Sequence, residues 1–259
     1  PTTMRRTGFS RAARGGKVLA LLVTALTIGS CKTDELLDVA TPDQISTGTT
    51  QSASGAQAQR VAGIGLFVRF FGADLGGGGI SLNLTTAILS DEAFTARSGT
   101  EHLDSRTQNP NSFPANAPWT PFGDAHNGLV RAIRGLNEFP PTVAGAKATQ
   151  IGQLYMLDGY VFTLIAESYC SGIPVSNVTD DKPSTTTMTT AQLYARALQM
   201  YDSALLVLST STADQNFRNA ARIGKARTYI DLNQYDKAAA PVGAGGDGAG
   251  SAAVPTSYL

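Results

Sequence analysis

Apolar residues recur every three to four positions along most of this chain, and that period predicts helices. Ala56–Phe71 places Val61, Ile64, Val68 and Phe71 at helical spacing, which predicts one buried face. Gly76–Gly79 break the pattern, and Ile80–Phe94 is mixed. Residues 95–121 read as a long irregular loop, with asparagine and proline crowded between 109 and 118. Long loops in compact domains are often functional. A second helix is expected over Phe122–Phe139, stopped by Pro140-Pro141. In Ala148–Tyr169, Leu154, Leu157, Val161, Leu164 and Ile165 share one face, and Tyr155, Phe162 and Tyr169 recur every seven residues beside it. A helix apolar on two sides is sandwiched between neighbours. Ser171–Thr190 reads as a threonine-rich loop whose last residue caps Ala191–Leu208. Gln215–Leu232 follows, and a further helix starts at Tyr235 and fails at Pro241 and the glycine-rich 243–250. Two-residue alternation is scarce, so the expected fold class is mainly α, built of helical hairpins with long irregular loops.

The first 31 residues have a different pattern. Arg5, Arg6, Arg11, Arg14 and Lys17 precede an apolar run, Val18–Ile28, that ends in Ile28-Gly29-Ser30-Cys31. A basic head, a short apolar core and small residues form a secretory signal peptide, here 1–30. The last four residues resemble a bacterial lipobox, in which the cysteine is acylated and becomes the mature N-terminus. A membrane-crossing helix fits less well, because eleven residues at about 1.5 Å each span roughly 16 Å of a hydrocarbon core about 30 Å thick. Acylated Cys31 and a polar tether over 31–54 would then precede the folded domain, 55–259, and hold it on a membrane outside the cytoplasm.

Charge narrows the partners. The chain holds 20 basic and 20 acidic side chains, and the five before Cys31 are all basic. The mature chain therefore carries 15 basic against 20 acidic groups, a net of −5. A mildly acidic domain argues against nucleic acid as a ligand. With 42% hydrophobic and only 15% charged residues, the chain can bury a core. If Cys31 is acylated, Cys170 has no intrachain partner, so no disulfide is expected, and Cys170 reads as a small buried residue beside a turn. Two histidines and one spare cysteine make a transition-metal site improbable, and no cofactor is expected. Pro-Thr-Thr before Met4, and the stop at Tyr258-Leu259, read as the edges of a fragment.

Tyr201-Asp202-Ser203-Ala204 returns 34 residues later as Tyr235-Asp236-Lys237-Ala238, at the tetratricopeptide period. Ala226, Tyr229, Leu232, Tyr235 and Ala238 follow the small-and-bulky order of that repeat. A small residue lets a neighbouring helix approach, and a ring fills the space above it. Hairpins of this kind, expected over about 148–240, bury their faces only by stacking. The first copy has only its second helix in register, with Ala148–Tyr169 as its partner.

Several segments together resemble one family. Cys31-Lys-Thr-Asp-Glu-Leu-Leu-Asp38-Val is similar to the start of mature SusD/RagB lipoproteins, and Leu89-Ser-Asp91-Glu92 to their "SDE" stretch. Trp119-x2-Phe122 leading to Arg131–Asn137 resembles their "W-x2-Y…I-x2-A-N" helix. Leu157-Asp-Gly-Tyr160 through Glu167–Val175 is similar to "LRA…L…YGDVPL", with Asp158-Gly159 and Cys170-Ser171 departing from it. The helical echo and Val254-Pro255-Thr256 complete the order. Family members are longer, so the resemblance implies that a C-terminal half is missing here. It also implies a surface-exposed outer-membrane lipoprotein that captures oligosaccharides or other nutrients for a SusC-like TonB-dependent transporter, and that is not an enzyme.

The candidate chemistry agrees with a binding role. Asp91-Glu92 are sequence neighbours, which seldom face one pocket at the roughly 5–10 Å a glycosidase pair needs. Asp180-Asp181 reads as solvated, Ser168 and Ser171 lack a nucleophile elbow, and His102 and His126 lie apart with no Asp/Ser frame. A sugar site needs aromatic faces and hydrogen-bonding side chains. The loop near 94–122 supplies Phe94, Asn109, Phe113 and, as the chosen ligand contacts, Arg97, His102, Asn111 and Trp119. Trp119 is expected also to pack against the helix that follows it. The other reading is a tetratricopeptide scaffold lipoprotein that binds protein partners in the cell envelope.

Overall fold

Ser52 accepts a hydrogen bond from the Gly55 amide (3.0 Å), which caps helix α1, Ala53–Phe71. The computed structural model describes residues 51–72, 81–94, 101–107, 119–177, 184–246, 252–255 and 257. These fall in one unit, Ser46–Leu259. The signal peptide, Cys31, the tether to residue 50, Gly76–Gly79, Asp180-Asp181 and Thr256 lie outside the described residues.

Helices α2 (Leu82–Leu89) and α3 (Glu101–Asp104) follow, then α4 (Trp119–Glu138) and α5 (Ala146–Ser168). Strands β1 (Ile173–Asn177) and β2 (Ser184–Met188) precede α6 (Thr190–Val207), α7 (Gln215–Asp231) and α8 (Tyr235–Val242). The fold is mainly α, as the periodicity requires. No helix among the described residues is long and apolar enough to cross a membrane.

Helix α5 is the spine of the core. Leu154, Val161, Phe162 and Ile165 are fully buried, with α4 and α6 packed on either side. The chain enters α4 through Pro121 in its first turn, where a missing N–H costs nothing. This moves the start back to Trp119 from the expected Phe122.

The face of α1 is the main correction. Val61, Val68 and Phe71 point outward (Val61 is 65% exposed), while Gly55, Ala56, Gly63 and Phe70 are buried. Small residues win because α1 crosses α4 at backbone contact. A Cβ on Gly63 would stand 3.0 Å from the Gly128 carbonyl oxygen, and one on Gly135 would stand 3.6 Å from Ala56 Cα. The apolar stripe therefore marks the flank of the seam. Ile64, Leu66 and Phe67 of that flank are half-buried against the core.

Tyr201 joins the helical hairpins. It is fully buried on α6, and its ring sits where any side chain on Gly159 of α5 or Gly224 of α7 would be. Its hydroxyl lies 3.1 Å from the Thr163 hydroxyl, which lies 3.0 Å from that of Thr228. One hydroxyl chain thus ties α5, α6 and α7. The 34-residue echo places Ala204 and Ala238 in equivalent buried positions, but Tyr235 is 64% exposed and fills no socket.

The threonine-rich stretch is also corrected. Residues 173–177 and 184–188 form an antiparallel hairpin with Ile173 opposite Met188 and Asn177 opposite Ser184. Ile173 and Val175 are buried and Pro174 is exposed, so a two-residue alternation lies inside what reads as a polar loop. The cap of α6 is Thr189 rather than Thr190. Its hydroxyl accepts from the Gln192 amide, and the Gln192 side chain accepts from the Thr189 amide (2.8 Å), a capping box. Pro241 lies inside α8 rather than ending it.

Two buried arginines of α7 hold chain ends in place, Arg218 that of α6 and Arg222 the segment after α8. Arg218 donates to the carbonyls of Leu205 and Leu208. Arg222 donates to those of Pro241 (2.6 Å), Ala252 (2.8 Å) and Gly243. Five carbonyls that would otherwise be hard to satisfy thereby gain donors.

Candidate functional site

The C-terminus of α5 carries the site. Tyr169 ends the helix with an extended backbone, and its amide donates to the Ile165 carbonyl (3.1 Å). Gly172, at a φ of 104°, then turns the chain into β1. This turn faces α2 across a cleft of about 420 Å³. Leu82, Thr85, Thr86 and Leu89 of α2 form one wall, with Leu103 of α3 beside them. Ser168, Tyr169, Cys170, Ser171, Gly172 and Ile173 form the other, and Trp119 closes one end. The volume lies in the usual range for small-molecule sites.

An aromatic corner organises this cleft. The Trp119 ring centroid lies 4.8 Å from that of Tyr169, and Phe122 meets Trp119 edge-on at 6.4 Å. Burial pushes the Tyr169 phenol up to about 12, so it stays a neutral hydroxyl through the physiological range. Around the rings stand the hydroxyls of Thr85, Thr86, Ser168 and Ser171. Among the described residues, none of the lining side chains carries a full charge. Rings beside hydroxyls, without charge, suit a neutral ligand that has both apolar faces and many hydroxyl groups.

The structure places only some of the expected contact residues. Trp119 lines the cleft, and its ring meets Phe122 of its own helix. His102 precedes Leu103 of the cleft wall, and its Nε2 is buried with no hydrogen-bond partner among the described residues. Arg97 and Asn111, with Asn109 and Phe113, lie outside the described residues. Phe94 is exposed and is not part of the wall. Tyr169 and the Ser168–Gly172 turn are additions to the expected set. The signal for Tyr169 was its place in the seven-residue aromatic series on α5. Cys170 is exposed, which corrects its expected burial, because the chain leaves the helix just before it.

His126 does have an aspartate, contrary to the sequence expectation. Its Nδ1 lies 2.8 Å from Asp158 Oδ1. Both residues are buried in the core, under the Phe162 ring at 5.0 Å, and neither lines the cleft. Asp91 pairs with Arg106 on the exposed surface, and neither Asp91 nor Glu92 lines this cleft. No group of three or more metal-ligating side chains is present among the described residues.

No protein-family model matches this chain, and no curated protein matches it. Among solved structures, it is similar to a laminarin-binding SusD-like protein, with a TM-score of 0.55 and 16% identity. The match covers 74% of this chain and 42% of the other. The likeness establishes a SusD-like helical fold, and the chain spans less than half the length of that structure.

Proposed function

We propose that this chain belongs to a cell-surface lipoprotein that binds a glycan in the Trp119–Tyr169 cleft. The observation that carries the reading is a cleft whose described lining is uncharged and sets two aromatic rings beside four hydroxyl side chains, on a SusD-like fold. A sugar offers C–H faces to the rings, and its hydroxyls can donate to the oxygens of Thr85, Thr86 and Ser168, whose own hydrogens are already given to helix carbonyls. The solved relative's description as laminarin-binding supports a carbohydrate as the ligand class. Acylation at Cys31 would hold the domain on the outer membrane, and delivery to a TonB-dependent transporter of the SusC type would follow capture. The protein does no chemistry on the sugar in this reading, and the burial of His126 and Asp158 away from the cleft supports that. The hairpins of α5–α8 take a tetratricopeptide-like role as the frame of the cleft.

The test is native gel retardation of the mature protein in a panel of polysaccharides that includes laminarin, with product analysis alongside. Retardation by at least one polysaccharide, lost in Trp119→Ala, without release of shorter sugars, is the expected result. Migration unaffected by every polysaccharide, or release of products, would overturn the reading.

A further inference from the structure

The hydroxyl side chains on both walls of the cleft are tied to their own helices. Thr85 Oγ1 donates to the Ser81 carbonyl (3.0 Å), one turn back on α2. Thr86 Oγ1 donates to the carbonyls of Leu82 (3.1 Å) and Asn83 (3.0 Å). On the facing wall, Ser168 Oγ donates to the Leu164 carbonyl of α5 (2.8 Å). A hydroxyl has one hydrogen and two lone pairs, so each of these oxygens meets a ligand as an acceptor. Ser171 is engaged with the start of α6, accepting from the Thr190 amide (3.1 Å) and lying 3.1 Å from the Thr190 hydroxyl. Among the described residues, no Lys, Arg or His lines the cleft. Acceptors thus stand on both walls, and Trp119 brings an indole N–H at one end.

We propose that Thr85, Thr86 and Ser168 make the cleft a reader of glycan substitution. It admits a chain whose hydroxyls are free and rejects the same chain when they are O-methylated or sulfated. This rests on the glycan reading and adds which chemical form of the sugar binds. A free sugar hydroxyl donates to an acceptor wall. Its methyl ether keeps the oxygen but loses the hydrogen, so oxygen meets oxygen, and wall lone pairs that gave up water gain no bond in return. Turning a wall hydroxyl round to donate instead breaks its bond to the helix carbonyl. A sulfate ester adds further acceptor oxygens and a negative charge, with no cation on the described walls to meet it. Discrimination therefore comes from mismatched polarity as well as from attraction to the right sugar.

Affinity gels of the mature protein test this with laminarin, O-methylated laminarin and sulfated laminarin, and with pullulan against alginate as a second neutral and acidic pair. The expected result is retention by laminarin or pullulan, with affinity for the methylated and sulfated forms weaker by about tenfold or more. The methyl ether carries no charge, so it isolates hydrogen bonding. For the charged chains the difference should persist at high salt, where general repulsion from an acidic protein is screened. Ser168→Ala and Thr86→Val, each checked for native helicity by circular dichroism, should weaken laminarin binding by about threefold to tenfold and leave the methylated form unchanged, so the ratio narrows. Laminarin and its methyl ether retained equally would overturn the proposal and leave the glycan reading standing. So would retention by sulfated laminarin or alginate at high salt. A methyl-ether ratio identical in wild type and both variants also overturns it, since the methyl groups are then excluded by bulk. Retention by none of the five overturns the glycan reading, and this proposal with it.

Discussion

Replacing Gly224 by alanine tests how the helical hairpins are held together. The new methyl group would stand 2.4 Å from Tyr201 Cζ and 2.6 Å from its hydroxyl oxygen. Ring atoms cannot approach a methyl group that closely, so Tyr201 or α7 must move. The ring has no free direction. Gly159 backs it on α5, where a Cβ would already be 2.5 Å away, and Tyr160 meets it edge-on at 5.4 Å. Its hydroxyl is tied to Thr163. Overpacking of this kind costs about 1–3 kcal/mol. Alanine recovers about 0.5–1 kcal/mol by its higher helix propensity in the middle of α7. The net expectation is a loss of about 1–2 kcal/mol, which for a domain of this size lowers the melting temperature by about 2–8 °C. Urea denaturation followed by circular dichroism at 222 nm measures it. Tyr201→Leu shortens the ring and, in the double variant, should recover about 1 kcal/mol relative to the sum of the single changes. A Gly224→Ala protein as stable as the wild type, or strict additivity with Tyr201→Leu, would refute the socket.

Three further outcomes follow from buried polar groups. Asp214 caps the turn before α7, with the Thr149 hydroxyl donating to Oδ1 (2.6 Å) and the Ser209 amide and hydroxyl donating to Oδ2 (2.8 and 2.6 Å). Burial pushes this carboxyl up, but the bonds from Ser209 and Thr149 and the charge of Arg218 bring it net below its ordinary value. Its contribution is present above the unfolded carboxyl range and is lost as pH falls through the lowered value. Asp214→Ala should therefore cost about 1–3 kcal/mol in urea denaturation at pH 7, and less as pH falls through the lowered carboxyl. Arg222→Met should cost about 3 kcal/mol or more, since the carbonyls of Pro241 and Gly243 lose their donor, and proteolysis should reach 243–255 first. Asp231 has the opposite sign to Asp214, because its folded carboxyl is raised. The native chain holds the extra proton between about pH 4 and 7, so stability should fall as pH rises through that window, and Asp231→Asn should remove the slope in melting scans.

The sequence carried the helices best where period and length agree. Helix α5 has both of its apolar faces buried as read, and α7 ends within a residue of its expected limit. The face of α1 was misread because a hydrophobic stripe is the louder signal, whereas the actual contact is a glycine seam whose partner lies more than sixty residues away. The β-hairpin was hidden because threonine serves equally in loops and strands, and only the burial of Ile173 and Val175 decides between them. The Trp119 end of the cleft was legible as an aromatic before a helix. Tyr169 and the Ser168–Gly172 turn were not, because they reach Trp119 only when α5 lies along α4. The Glu167–Arg227 ion pair joins residues 60 apart in sequence, and no local pattern marks it.

Whether the Trp119–Tyr169 cleft holds a sugar is read from a crystal structure of the mature protein with a laminarin oligosaccharide. A pyranose ring is expected against Trp119 or Tyr169, with its hydroxyls bonded to side chains among Thr85, Thr86, Ser168 and Ser171. A sugar seated elsewhere on the domain, with this cleft empty, would contradict it.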